Sequence, residues 1–171
     1  MIDRATIRDY CCTRNNLAQA VFMTEHISRH DTRLAAWSTF LRAHAHVVRE
    51  LERELQSEQQ LALTDYDVLI QLSQADDRRL RMSELADKLL LSRSGVTRLV
   101  DRLVADGLVK RVTCESDRRG QWAALTDAGH DRLRTASPTH LRGVAEHFLD
   151  HLSADELREL DRMLDQVLSA K

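Results

Sequence analysis

The chain has 171 residues, of which 43% are hydrophobic, 30% charged and only 4% aromatic, with a formal net charge of −2. That length can bury the core of one domain, and the sequence has no apolar run approaching the ~18 residues that a membrane span needs. Five glycines and a single proline suit a mainly helical fold, and three cysteines without a signal-peptide pattern suit a reducing, cytoplasmic setting. Residues 1–31 read as a frayed or arm-like N-terminal extension, with a polar start, adjacent Cys11 and Cys12, and a short apolar patch from Leu17 to Phe22. Met23 is an alternative start. From Thr32 to about Gln56 the apolar residues Leu34, Trp37, Leu41, Ala45, Val48, Leu51 and Leu55 recur by threes and fours, which predicts a long helix with one buried stripe. The next helix opens at Leu63, with Thr64 as cap and Asp67 answering it, and ends near Ala75. A solvated turn, Asp76 to Arg79, leads to a short strand at Leu80-Arg81-Met82.

The region from about 60 to 126 carries the strongest pattern. A short helix over Ser83 to Leu90 and a bend at Leu91 precede a second amphipathic helix from Arg93 to Asp106, with Ser92 as its N-cap and Gly107 as its stop. Val96, Leu99, Val100, Leu103 and Val104 form its inward face. Its outward face carries Arg93, Ser94, Thr97, Arg98, Asp101 and Arg102. After Gly107 the period turns extended through Thr113, a polar turn runs from Glu115 to Gly120, and a second strand covers Gln121 to Leu125. The expected fold is mainly α with a small antiparallel β-wing, a winged helix-turn-helix.

Such a helix fits the major groove of double-stranded DNA. Arg93, Arg98 and Arg102 suit phosphate or guanine, while Ser92, Ser94 and Thr97 offer short hydroxyls and a methyl for thymine. Arg118 and Arg119, at the tip of a two-stranded ribbon that Gly120 lets turn, suit a minor groove. Charge distribution agrees: residues 92–120 hold seven basic and four acidic groups, +3, whereas residues 146–171 hold seven acidic and three basic, −4.

After the wing, Thr126 caps a helix from Asp127. Pro138 is expected to kink it or restart it with Ser137 as cap. Ser153 and Glu156 form a capping box for a last helix, whose Leu157, Leu160, Leu164 and Val167 recur at heptad-like spacing and predict a dimer seam. Residues 127–170 and 32–56 are therefore the expected dimerisation helices. His147 and His151 stand at i and i+4, a spacing able to hold zinc, with His140 further back. The sequence places no acidic or thiol partner beside them, so no metal and no cofactor is assigned and the histidines are expected to face solvent. Glycine-rich phosphate loops, Gly-x-Ser-x-Gly, His-Glu-x-x-His and Cys-x-x-Cys are all absent, which argues against an enzyme.

Four stretches together resemble the MarR family of bacterial transcription factors: Ser92 to Leu103, Gly107-Leu108-Val109-Lys110-Arg111, Asp117-Arg118-Arg119-Gly120 and Leu125-Thr126-Asp127-Ala128-Gly129. The likeness runs from about Thr32 to the end, making 32–171 a single domain. The resemblance implies a homodimer on a palindromic operator, acting as a repressor that a small aromatic or phenolic effector releases. It also implies that Asp117 braces the wing while Arg119 enters the minor groove, and that the first helix helps line the effector pocket, which points to Trp37 and His44. Two other readings stay open. One is a redox- or metal-responsive regulator of the same fold, with Cys11, Cys12 or Cys114 as the oxidisable thiols, although the family's peroxide sensors carry a cysteine in the first long helix and this chain has none there. The other is a winged helix that binds protein without DNA.

Overall fold

The computed structural model describes residues 32–114 and 117–170, with side chains described for 33–112 and 121–170. Helix α1 (Thr32–Glu54) passes into a π-helical turn, Leu55–Gln59. Helix α2 (Leu63–Ser73) follows, then a 3-10 turn at Asp76–Arg78 and strand β1 (Arg79–Arg81). Helices α3 (Met82–Leu89) and α4 (Arg93–Ala105) lead to strands β2 (Val109–Cys114) and β3 (Asp117–Leu125). Helix α5 (Asp127–His147), a 3-10 turn at Leu149–His151 and helix α6 (Ala154–Ser169) complete the chain. The strands form one antiparallel sheet in the order β1-β3-β2. The mainly helical winged architecture is thus the one the periodicity predicts.

Packing divides the chain into one unit up to Ala45 and another from His46 onward. In the second unit the core draws on every period the sequence displays. Leu51 comes from α1 and Leu55 from the π-helical turn that follows it; Tyr66, Val68, Leu69 and Leu72 come from α2; Leu85 comes from α3; Val96, Leu99, Val100 and Leu103 come from α4. Val109, Ala123 and Leu125 close it from the sheet, and Leu133 and Ala136 from α5. The junction between wing and α5 is the tightest point. Thr126 Oγ1 donates to Leu108 O at 3.0 Å and accepts from Gly129 N–H at 3.0 Å, and a Cβ at Gly129 would lie 2.1 Å from Leu108 O. Only glycine lets that helix start so close to the strand.

Several expectations change. Thr64 does not cap α2: the N-cap is Ala62, without a side-chain bond, and Leu63 N–H donates instead to Glu52 Oε2 at 2.7 Å, so the preceding helix supplies the cap. Asp67, released from the expected capping box, is half-buried near Glu52, and burial pushes its carboxyl above the usual range. Strand β1 falls one residue earlier than expected because Met82 already belongs to α3. Helix α5 is continuous through Pro138, with no restart at Ser137. Ser137 Oγ donates to Leu133 O at 2.8 Å, a bond made inside a helix rather than at its start, and buried Ala136 and Thr139 hold that segment against the rest of the fold. Tertiary packing there outweighs the one backbone bond that proline removes. The stripe of α1 is buried only from Leu51 onward: Leu34, Trp37, Leu41 and Val48 are exposed.

Candidate nucleic-acid interface

Two turns build the helix-turn-helix. Helix α3 ends at Leu90, which takes the left-handed conformation (φ 53°, ψ 36°) and is 92% exposed, so the turn is made without glycine one residue before the expected bend. Ser92 then caps α4, its Oγ accepting from Gly95 N–H at 3.1 Å. With Val96, Leu99, Val100 and Leu103 turned into the core, Arg93, Ser94, Thr97, Arg98, Asp101 and Arg102 are all exposed on the opposite side, as the helical period requires.

The polar groups on that face are not equally free. Ser92 spends its acceptor on the cap and lies 3.2 Å from Ser94 Oγ, while Thr97 Oγ1 donates to Arg93 O at 2.8 Å, which leaves the Thr97 methyl and the Ser94 hydroxyl outward. Arg102 is tied down. Its Nη2 lies 2.5 Å from Oδ1 of Asp65, a carboxylate only 8% exposed on α2, so this guanidinium fastens α4 to α2. Arg93 and Arg98 have no carboxylate partner among the described residues, and both are exposed. They are the cations of α4 available to a phosphate or a base edge.

The base of the wing is also strapped to α4. Arg111 on β2 reaches Asp101 Oδ1 with Nε at 3.2 Å and Nη2 at 2.7 Å, and its Nη1 lies 2.5 Å from Gln121 Oε1 on β3. In the sequence Arg111 is one more positive charge, whereas its geometry makes it the link that holds the ribbon relative to the helix. An outward Asp in the second half of the helix, facing the first strand beyond Gly107, was the legible sign of that link. Asp117, Arg118, Arg119 and Gly120 belong to β3 rather than to a free turn, since Cys114 pairs with Asp117 across an irregularity after Thr113. Their side chains lie outside the described residues, as do Cys11, Cys12 and the Cys114 side chain.

Elsewhere, Trp37 and His44 share one exposed face of α1. Phe40, which the sequence reading passed over, links them, its ring 6.1 Å from Trp37 and 6.4 Å from His44. On α6, Leu157 and Leu160 are half-buried, while Leu164 and Val167 are exposed at 36% and 72%. An open cleft of about 460 Å³ lies between α2, α3 and the sheet, lined by Gln71, Gln74, Arg79, Glu84 and Trp122 among others, with the Arg79 and Arg81 guanidiniums 5.3 and 5.1 Å from the Trp122 ring centre. The expectation of solvent-facing histidines fails at two positions. The His140 ring stacks on Tyr66 at 4.3 Å, and burial lowers its pKa; His147 Nε2 lies 2.7 Å from Glu54 Oε1. No helix among the described residues is long and apolar enough to cross a membrane.

This arrangement has clear relatives. A family model for the MarR family matches residues 59–120, from the turn before α2 into the last strand of the wing. The transcriptional repressor MprA of Escherichia coli (strain K12) is 30% identical over 106 residues, which make up 62% of this chain and 60% of MprA, so the chain spans about 60% of the length of that relative. The crystal structure of Sco3205, a MarR family transcriptional regulator from Streptomyces coelicolor, in complex with DNA, is 32% identical with a TM-score of 0.77, covering 83% of this chain and 88% of that one. That of AbsC, another MarR family transcriptional regulator from Streptomyces coelicolor, is 37% identical with a TM-score of 0.78 over 83% of this chain and 95% of that one. With a winged helix-turn-helix of this geometry and a likeness that spans nearly all of AbsC, the chain belongs to the MarR family of transcriptional regulators.

Proposed function

We propose that the chain is a sequence-specific DNA-binding regulator that acts as a homodimeric repressor on a palindromic operator. The observation that carries this reading is the outward face of α4, where Arg93, Ser94, Thr97 and Arg98 are exposed and the two arginines have no carboxylate partner among the described residues. The similarity to Sco3205, whose structure was solved with DNA, supports it. In this reading α4 enters the major groove, Arg93 and Arg98 contact phosphate or guanine, and Arg119, braced by Asp117, reaches the minor groove. Arg102 keeps α4 docked on α2. Two copies must present their helices about 34 Å apart to meet successive major grooves. The apolar stripes left exposed on α6 and on the first part of α1 support a pairing of subunits that sets this spacing.

Arg93→Ala and Arg98→Ala, measured by fluorescence anisotropy on a duplex selected from the source genome, are each expected to weaken binding by about 1–3 kcal/mol with the fold intact. Affinity of the unaltered protein should fall steeply with salt. Unchanged binding in both variants, or no salt dependence, removes the interface. The effector belongs to the same proposal: a small aromatic or phenolic compound docking on the ring row of Trp37, Phe40 and His44. Salicylate serves as probe and should release the labelled duplex from the protein but not from Trp37→Ala; release by oxidant alone overturns this part.

A further inference from the structure

Helices α1 and α5 meet closely enough that a Cβ on Gly143 would fall 2.7 Å from Leu51 Cδ2 and 2.8 Å from Glu54 Oε2. Glu54 is drawn inside by that approach and is only 8% exposed. Its Oε1 lies 2.7 Å from His147 Nε2 and 3.2 Å from Arg53 Nη2, while its Oε2 is buried without a hydrogen-bond partner among the described residues. A buried carboxylate oxygen without a partner is costly, because the water it has lost is not replaced. Glu146, next to His147 and about half exposed, brings a second carboxylate, and one donor atom from each of Glu54, Glu146 and His147 lies within 4.8 Å of the other two. Two carboxylates and an imidazole at this separation form the donor set of a borderline divalent cation, with room left for water.

We propose that Glu54, Glu146 and His147 bind one divalent transition-metal ion of the zinc class. The ion accepts one oxygen from each carboxylate and Nε2 of neutral His147, and it offsets the two negative charges brought together where α1 ends against α5. Arg53, 3.2 Å from Glu54, and Arg142, 3.8 Å from Glu146, stay as outer partners that orient the carboxylates. The ring of His46 lies edge-on to His147 with 6.4 Å between centres, beside the group on the α1 side. This site differs from the His147 and His151 pair that helical spacing suggests. His151 falls in the 3-10 turn beyond the end of α5, exposed, and the ligands come instead from across the helix contact.

The test is titration of chelator-treated full-length protein with Zn²⁺ by calorimetry, and with Co²⁺ by visible absorption. The expected result is one equivalent whose Co²⁺ bands lack the sulfur charge-transfer feature that Cys11, Cys12 or Cys114 would give. That equivalent should weaken at least tenfold in both His147→Gln and Glu146→Gln and persist in His151→Gln. Glu146 is half exposed, so its variant keeps the fold, and circular dichroism checks His147→Gln. Three results overturn the proposal: no such equivalent, which leaves a His147–Glu54 ion pair only; unchanged affinity in both variants; or equal loss in His151→Gln. Because the readout is ion binding, it stands or falls independently of DNA recognition.

Discussion

Helices α4 and α6 are built by the same local rules and end in opposite situations. Each starts at a serine whose hydroxyl caps the helix, Ser92 accepting from Gly95 N–H and Ser153 from Glu156 N–H, and each carries an apolar stripe at helical spacing. On α4 the stripe is consumed: Val96, Val100 and Leu103 are fully buried and Leu99 nearly so. On α6 no residue is buried, and Met163, Leu164, Val167 and Leu168 remain exposed. A stripe satisfied within its own chain orients the helix and frees the polar face for a ligand. One left unsatisfied at the chain's end has about 25 cal/mol per Å² of apolar surface still to gain from a partner.

The sharpest way to break this comparison is to make one substitution in both helices. Leu103→Ala should destabilise the protein by about 2–5 kcal/mol, the range for emptying a packed core site, whereas Leu164→Ala should stay near zero for the isolated subunit. Chemical denaturation at low protein concentration reads both, and equal losses would dissolve the distinction. Next in size is association. Leu160→Asp combined with Leu164→Asp is expected to give folded monomers with lower operator affinity, because charge on the stripe blocks pairing without touching the core; sedimentation that still shows dimers would move the seam away from α6.

The smallest effect concerns pH. Burial against Tyr66 lowers the His140 pKa in the folded state, so the unfolded chain binds a proton more readily, and its contribution to stability is present above the ordinary histidine range and lost as pH falls through the folded value. Thermal melts should therefore show a loss below about pH 6.5 that shrinks in His140→Phe, which keeps the stacked ring. An identical pH profile in that variant would assign the loss to other groups.

Much of this was legible in residue order. The helix stops, the Ser92 and Ser153 caps, the left-handed Gly107 at φ 74° and the inward face of α4, buried at four of its five expected positions with Val104 packed partly buried beside them, follow from short-range rules acting within one or two turns. What misled were positions whose partners are distant in sequence. Thr64 has the right chemistry to cap α2, but Glu52 arrives from α1 and takes the role. Pro138 has the right chemistry to break α5, but the packing around Ala136 and Thr139 holds the helix through it.

At the interface, composition and period determined which side chains of α4 face outward, because a 3.6-residue repeat leaves no other choice once the apolar face is buried. Tertiary structure decided which of the cations on α4 and the neighbouring strand are left without a carboxylate among the described residues. Arg102 and Arg111 look like Arg93 and Arg98 in the sequence, yet Asp65, 37 positions earlier, and Asp101 on the neighbouring helix claim the first two. The same holds for Glu54, 93 positions from His147 and brought to it by the contact at Gly143. A chain encodes its helices through neighbours that its order makes visible, while its ion pairs and donor clusters depend on close approach between segments that the order keeps apart.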